Sequence, residues 1–514
     1  MKNNFLLKSL SAFVIGGMLL SACSEDNTKQ DAVTPPTPQP TAPQTPTEVP
    51  LARAIVPGIT IQNLMHSDID IPASPGFVFG GSADGMGFYK NGDNYVMLTN
   101  HEDNFSVSRV TFDANLKPIK GDYLLTSDEG RYRLCSATLA TQAEHGYDAF
   151  LTCGESSASS QSHVVTNLNG PVRPQNTIKP ALGYWNAENA LPLPKTAYPG
   201  KTVVIIGDDD SGSSSHFGQV VVYISDAVGD FENGKIYVLT RDDGSRIETD
   251  LKKGVNVNVT FKEIVGAKTM DFNTFNAAVG ALNPVGFGRV EDLDYRKDGV
   301  GREIYFQNTG FNSVASGYNQ TKYGRVYKLV LPTDFTTTLK GSMQLILDGD
   351  AFQDVNNNGV IDPSERIEVT ARERAAANGA ATEKCFTNLD NICATQNYLY
   401  LQEDSNGYGN EQHDGYIYQY NLATGELKAI IELNHFRSGN APEVKGSLSA
   451  GNFGSWEYGA MVDVSSIINQ PDAFLVCLQP HGWRGGRYSG ADGGSLRVIE
   501  NQASQVILVK GIAR

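Results

Sequence analysis

The sequence predicts an all-β fold: a six-bladed β-propeller with insertions, preceded by an export signal and a Pro/Thr-rich linker. Short apolar strands that run into polar, Gly- and Asp-rich turns recur about six times along the chain, the mark of a repeat architecture. The 52 Gly, 22 Tyr and 22 Phe, with few long Ala/Leu/Glu/Lys runs, favour strands and turns and exclude helical bundles and coiled coils. A chain of 514 residues is long enough for one large β architecture or for two or three ordinary cores. A jelly roll or a pair of sandwiches fits the same strand pattern less closely.

Residues 1–22 read as a lipoprotein signal peptide. Lys2 and Lys8 form its basic start, and FVIGGMLL is an apolar stretch too short to span a bilayer as an anchor. The signal ends in Leu20-Ser21-Ala22-Cys23, which resembles a bacterial lipobox with Cys23 as the lipidated residue. Membrane contact is then expected only through that lipid, in the bacterial cell envelope and outside the cytoplasm. Residues 23–50 hold seven Pro between positions 35 and 50 and almost nothing apolar, so they favour extended polyproline II and serve as a spacer. The propeller is expected over 51–514.

With 41 Lys+Arg against 57 Asp+Glu, the formal charge is 41 − 57 = −16. That balance argues against a groove for nucleic acid, which needs a basic stripe against phosphates. A small phosphorylated substrate stays compatible with it, because bound cations supply positive charge. Five Cys follow Cys23, at 135, 153, 385, 393 and 477, so an oxidising compartment leaves at least one unpaired or bound to something. Cys385 and Cys393 are near enough in sequence for a loop disulfide. Nothing outside the repeats reads as an interface, and a monomer is expected.

The recurring strands are YVMLTNHED (95–103), AFLTCGESS (149–157), TVVIIGDDD (202–210), EIYFQNTG (303–310), YLYLQEDSNG (398–407) and FLVCLQPHG (474–482). Read as the inner strands of a propeller, their ends converge on the central channel. That places His101, Glu102, Asp103, Cys153, Glu155, Asp208, Asp209, Glu403, Asp404 and His481 there. Acid-bearing strands just upstream add Glu188, Glu291, Asp292 and Glu457. So many carboxylates in one dry cavity repel and take up protons unless multivalent cations neutralise them. Oxygen-rich sites suit calcium, and a thiolate among carboxylates suits iron. GSSSHFG (212–218) reads as a flexible turn, and no GxSxG nucleophile motif is present.

These segments resemble the PhoX-type alkaline phosphatases, a family of secreted six-bladed propellers. LTNHED is similar to the family's strand ending in Asn-His-Glu, FLTCGES to its Leu-Thr-Cys-Glu-Glu segment, and GRVEDLDY to its Arg-Pro-Glu-Asp motif. FTNLDNICA with YLYLQEDSNG, then WEYGAMVD, CLQPHGW and DGGSLRVI, echo further motifs in the family's order, over about residues 60–510. The resemblance implies hydrolysis of a small phosphate ester at Fe3+ and Ca2+ ions in the channel. Cys153 is then the thiolate ligand to iron, and Glu155, Glu291 and Glu403 are carboxylate ligands. Glu102, Asp404, Asp292, Glu188 and Glu457 complete the expected metal set. Arg289 is expected to meet a phosphate oxygen, and His101 or His481 to bind metal or relay protons. The chain departs from the pattern at Gly154 and Val290, where the family has an acid and Pro, and a Cys135–Cys153 disulfide would remove the iron ligand. A calcium-dependent lactonase-type hydrolase, or a non-catalytic surface propeller stabilised by calcium, shares the same fold signals.

A separate calcium signal lies at 354–365. Asp354, Asn356, Asn358, Gly359, Ile361, Asp362 and Glu365 occupy positions 1, 3, 5, 6, 8, 9 and 12 of an EF-hand loop. Alternate oxygens wrap the ion, Gly allows the sharp turn, and the final Glu chelates with both oxygens. No clear helix flanks it, so a structural clip on a blade insertion is expected.

Overall fold

A computed structural model describes residues 50–212, 216–310, 320–335, 339–351, 357, 372–373, 382–383, 386–404, 414–434 and 456–514. The signal peptide with Cys23, the linker up to residue 49, Cys385, and the calcium-loop residues Asp354, Asn356, Asn358, Asp362 and Glu365 lie outside the described residues.

The strands form six antiparallel blades around one axis. Their innermost strands are Ala83–Asn91, Leu134–Ala140, Ala187–Pro192, Val290–Tyr295, Leu389–Ala394 and Glu457–Asp463. Each of these packs against the inner strands of both neighbouring blades, and the sixth returns to the first, which closes the ring. The protein is therefore a six-bladed β-propeller.

The recurrent apolar strands are all present, but each is the second strand of its blade rather than the innermost one. They run over Asn94–His101, Ala149–Gly154, Thr202–Asp208, Glu303–Asn308, Tyr398–Glu403 and Ala473–Gln479. The physical reason is burial on both faces. In Thr202–Asp208, Val203 and Ile205 enter one inter-blade core while Val204 and Ile206 enter the next. Such a strand reads as a continuous apolar run, with each fully buried aliphatic side chain contributing about 1.5–3 kcal/mol. An innermost strand faces the polar axis and carries Gly, Asn and Asp instead.

Two devices seal the ring. The N-terminal strand Thr60–His66 pairs with Gln505–Lys510, near the C-terminus, to complete blade six. Ala52–Ala54 then adds to the edge of blade five, beside Leu427–Leu433. An extra strand, Asn256–Glu263, pairs with Lys235–Arg241 of blade three and with Lys340–Asp348 of blade four. Blades three and four thereby share one nine-stranded sheet with no open edge between them.

Cys135, Cys153, Cys393 and Cys477 are buried free thiols. The disulfide considered between Cys135 and Cys153 is not formed.

Candidate metal centre

The register of the blades builds the site. Every inner strand carries a bulge near its start, where the pairing with the second strand shifts by one residue. Bulges re-aim side chains and recur beside functional sites. The residue that follows the last pair before each bulge is Asp84, Cys135, Glu188, Glu291, Asp390 and Gly459 in blades one to six. Just past the partner residue on the second strand, the equivalent positions are Glu102, Glu155, Asp209, Thr309, Asp404 and Gln479. Two acid-rich sets thus meet at one end of the axis, and all of these carboxylates are buried. The inner strands approach closely there: a Cβ on Gly85 would lie 2.2 Å from the Ala137 amide nitrogen and 2.6 Å from the Cys135 carbonyl oxygen.

Three groups of candidate ligands share members. Asp84, Cys135 and Glu188 bring their ligand atoms within 4.8 Å of one another, as do Glu102, Cys135 and Glu155, and Glu188, Glu291 and Asp390. The Cys135 thiol donates to Glu155 Oε2 at 3.0 Å. Glu155 Oε1 and Asp390 Oδ1 are buried with no hydrogen-bond partner among the described residues. Burial, then the neighbouring Glu102, Glu457 and Asp292, push the Asp84 carboxyl well above its usual range. Glu155, Glu188, Glu291 and Asp390 are raised in the same way, first by burial and then by neighbouring carboxylates: Asp209 for Glu155 and, against Arg289, for Glu291; Asp390 and Asp84 for Glu188; Glu291 and Asp84 for Asp390. Burial and the adjacent Glu155 and Glu188 hold the Cys135 thiol up as well. Multivalent cations would reverse this by stabilising the ionised forms. The donor set fits such ions: carboxylate oxygens suit calcium, and one thiolate among them suits iron.

Cations stand at the rim. Arg133 Nη1 lies 2.8 Å from Glu102 Oε1. Arg289 pairs with Asp209 (Nε–Oδ1 2.8 Å) and with Glu291 (Nη2–Oε1 2.9 Å), and its backbone is left-handed at φ 62°. His481 Nε2 is 2.9 Å from Glu457 Oε1. Burial lowers the His481 pKa, but Glu457 and then Asp103 and Glu102 outweigh it and hold it at about 9.

Among the expected site residues, Glu102, Glu155, Glu188, Glu291 and Arg289 are brought together with Cys135, Asp84 and Asp390. Glu457 joins them through its effect on Asp84 and Asp390. Asp404 occupies a rim position by register, its amide donating to the Asn388 carbonyl at 2.8 Å. Asp103 accepts from Ser82 and Gln502 beside the same rim.

Five expectations are corrected. The Cys153 side chain points into the core between blades two and three, 3.2 Å from Ser162 Oγ, so the thiol among the carboxylates is that of Cys135. Strand alternation explains this, since Cys153 shares a face with Ala149 and Leu151 in that core. Glu403 uses both oxygens within blade five, accepting from the Thr387 amide (2.9 Å), the Tyr418 hydroxyl (3.1 Å) and the Tyr416 amide (2.8 Å). Asp292 ties three inner strands together, accepting from Asn189 and from the amides of Leu293 (2.8 Å) and Ile392 (3.1 Å). His101 is fully buried, edge-on to Phe79 with Nε2 at 2.8 Å from Ser108 Oγ, and burial lowers its pKa to about 3. A neutral ring enclosed in that way braces blade one. Asp208 accepts from the Asn186 amide at 2.9 Å, one residue short of the rim position that Asp209 takes.

Sequence reasoning missed Asp84, Cys135 and Asp390 as site residues. The available signal was positional: each opens an acid- or Cys-bearing strand just upstream of one of the recurrent apolar strands.

No protein-family model matches the chain, and no curated protein is similar to it in sequence. Among solved structures it is similar to a PQQ-bound aldose sugar dehydrogenase from Streptomyces coelicolor, at 10% identity and a TM-score of 0.37, over 88% of this chain and 98% of that one. It is also similar to an α-L-arabinofuranosidase from Fusarium graminearum, at 10% identity and a TM-score of 0.35, over 83% of this chain and 92% of that one. The six-bladed architecture itself rests on the closed ring of inner strands.

Proposed function

We propose that the chain is a metal-dependent phosphomonoesterase of the PhoX type. It is anchored by a lipid on Cys23 outside the cytoplasm of a bacterial cell, and it works as a monomer on a small phosphate ester rather than on nucleic acid. The observation that supports it most is the buried set of carboxylates sharing one thiol, Cys135, under the guanidinium of Arg289. A calcium-only lactonase or a calcium-stabilised binding protein leaves that thiol without a role.

In this reading the ions would be held by Asp84, Glu102, Cys135, Glu155, Glu188, Glu291 and Asp390, and Cys135 and Glu188 each belong to two of the three ligand groups. When bound, iron and calcium supply Lewis acidity and counter-charge for the phosphoryl group. The rest falls to the protein's own side chains. Arg289 offers its guanidinium to a phosphoryl oxygen and is held in place by Asp209 and Glu291. The bulged inner strands fix the carboxylates before substrate arrives, so little reorganisation accompanies the reaction. Asp292 and Glu403, satisfied by backbone amides, keep the inner strands in register.

The test is hydrolysis of p-nitrophenyl phosphate by the purified mature protein, with and without a chelator, alongside elemental analysis. The reading expects iron and calcium together with chelator-sensitive turnover. Calcium without iron, and no turnover, would overturn it.

A further inference from the structure

The blade register relates two arginines that are 156 residues apart in sequence, 289 − 133. Arg133 immediately precedes Leu134, which pairs with Gly154 at the last position before the bulge of blade two. Arg289 immediately precedes Val290, which pairs with Asn308 at the corresponding position of blade four. The same place in the other blades is taken by Ser82, Asn186, Asn388 and Glu457. Both arginines also make the same contact: each reaches the rim acid of the blade before its own. Arg133 of blade two pairs with Glu102 of blade one, and Arg289 of blade four with Asp209 of blade three.

We infer that Arg133 is a second anion-binding residue, two blades from Arg289 on the same rim, so that the site grips a phosphoryl group with two guanidiniums. The inference rests on the reading of the channel as a phosphate-ester site. The Arg133 backbone is fixed where this role needs it, because its carbonyl accepts from the Glu155 amide at 2.8 Å and its amide donates to Ser156 Oγ at 2.8 Å. Its side chain is 15% exposed, enough for contact with an incoming ligand, whereas the partner Glu102 is 3% exposed. An anion entering an axis lined by carboxylates meets repulsion at the mouth, and two fixed guanidiniums two blades apart offset it there.

The experiment compares metal-loaded wild type with Arg133→Met and Arg133→Lys. It measures inorganic phosphate binding by calorimetry, KM and kcat for p-nitrophenyl phosphate, and iron and calcium content in the same samples. The expected result is phosphate affinity weakened and KM raised by about tenfold or more in Arg133→Met, with metal content unchanged and partial recovery in Arg133→Lys. Should Arg133→Met not fold, Arg133→Lys carries the comparison, with an expected loss of about threefold from the missing bidentate fork. Wild-type phosphate affinity and KM in the variants would overturn the inference. So would a loss that merely tracks lost metal, which would make Arg133 a positioning residue for Glu102. A wild type that binds phosphate but hydrolyses nothing overturns the phosphatase reading alone, and the binding comparison still decides the role of Arg133. A wild type that does neither overturns both.

Discussion

Glu403→Gln separates a structural carboxylate from a metal ligand at the position where sequence and structure disagree most sharply. In the folded protein, Glu403 Oε1 accepts from the Thr387 amide at 2.9 Å and the Tyr418 hydroxyl at 3.1 Å, while Oε2 accepts from the Tyr416 amide at 2.8 Å. A glutamine oxygen in the Oε1 place keeps the first two bonds in weaker, uncharged form. Its amide nitrogen then faces the Tyr416 N–H, donor against donor. Losing one hydrogen bond to a charged group costs about 1.5–3 kcal/mol, and a buried donor left unsatisfied adds about 1–3 kcal/mol. The sum is about 2.5–6 kcal/mol. For a domain of this size the unfolding entropy is about 1 kcal/mol per degree, so the midpoint should fall by about 2.5–6 °C. Thermal unfolding of the metal-loaded protein, followed with elemental analysis, reads both quantities. A lowered midpoint with unchanged iron and calcium is expected. An unchanged midpoint with lost metal would refute the reasoning and return Glu403 to the ligand set.

Other expectations follow from the same contacts. His163 is fully buried, with Nε2 donating to the Gly130 carbonyl at 2.9 Å and Nδ1 accepting from Thr177 Oγ1 at 2.9 Å, and burial lowers its pKa to about 4. The unfolded chain protonates this ring near pH 6.5, so its contribution is complete above that pH and is lost as pH falls towards 4, about 3 kcal/mol in all. Acid unfolding of His163→Gln should therefore show a shallower loss of stability than wild type between pH 6.5 and 4, and parallel curves would contradict the assignment. Gly85→Ala drives a methyl group into the backbone of Ala137 and Cys135 and should cost the upper part of about 1–3 kcal/mol, with reduced metal retention, by denaturant titration and elemental analysis. Ile507→Ala opens a cavity in the strand to which the closing N-terminal strand of blade six pairs, opposite Val476 and Asn63, and should lower stability by about 2–5 kcal/mol in denaturant titration.

The fold was legible because second strands such as Thr202–Asp208, buried between blades, leave apolar runs that repeat. Their ends do converge at one end of the axis, which made Glu102, Glu155 and Asp404 readable from pattern. What sequence did not convey is which strand of each blade lies innermost. Inner strands such as Ala83–Asn91 are broken by Asp84, Gly85 and Gly87, so no apolar run announces them. The bulge that aims Asp84, Cys135 and Asp390 at the axis arises from pairing across the sheet and has no local signature. The choice between Cys135 and Cys153 depends on strand face: one residue of phase decides whether a side chain enters the core or the channel.

The central claim is that Cys135 is the thiol of a metal centre in the propeller channel. Its most direct test is elemental analysis with visible absorption of Cys135→Ser beside Cys153→Ser, both purified as mature protein. The account predicts that Cys153→Ser keeps iron and its thiolate charge-transfer colour, while Cys135→Ser loses both. Colour and iron lost in Cys153→Ser but kept in Cys135→Ser would contradict it.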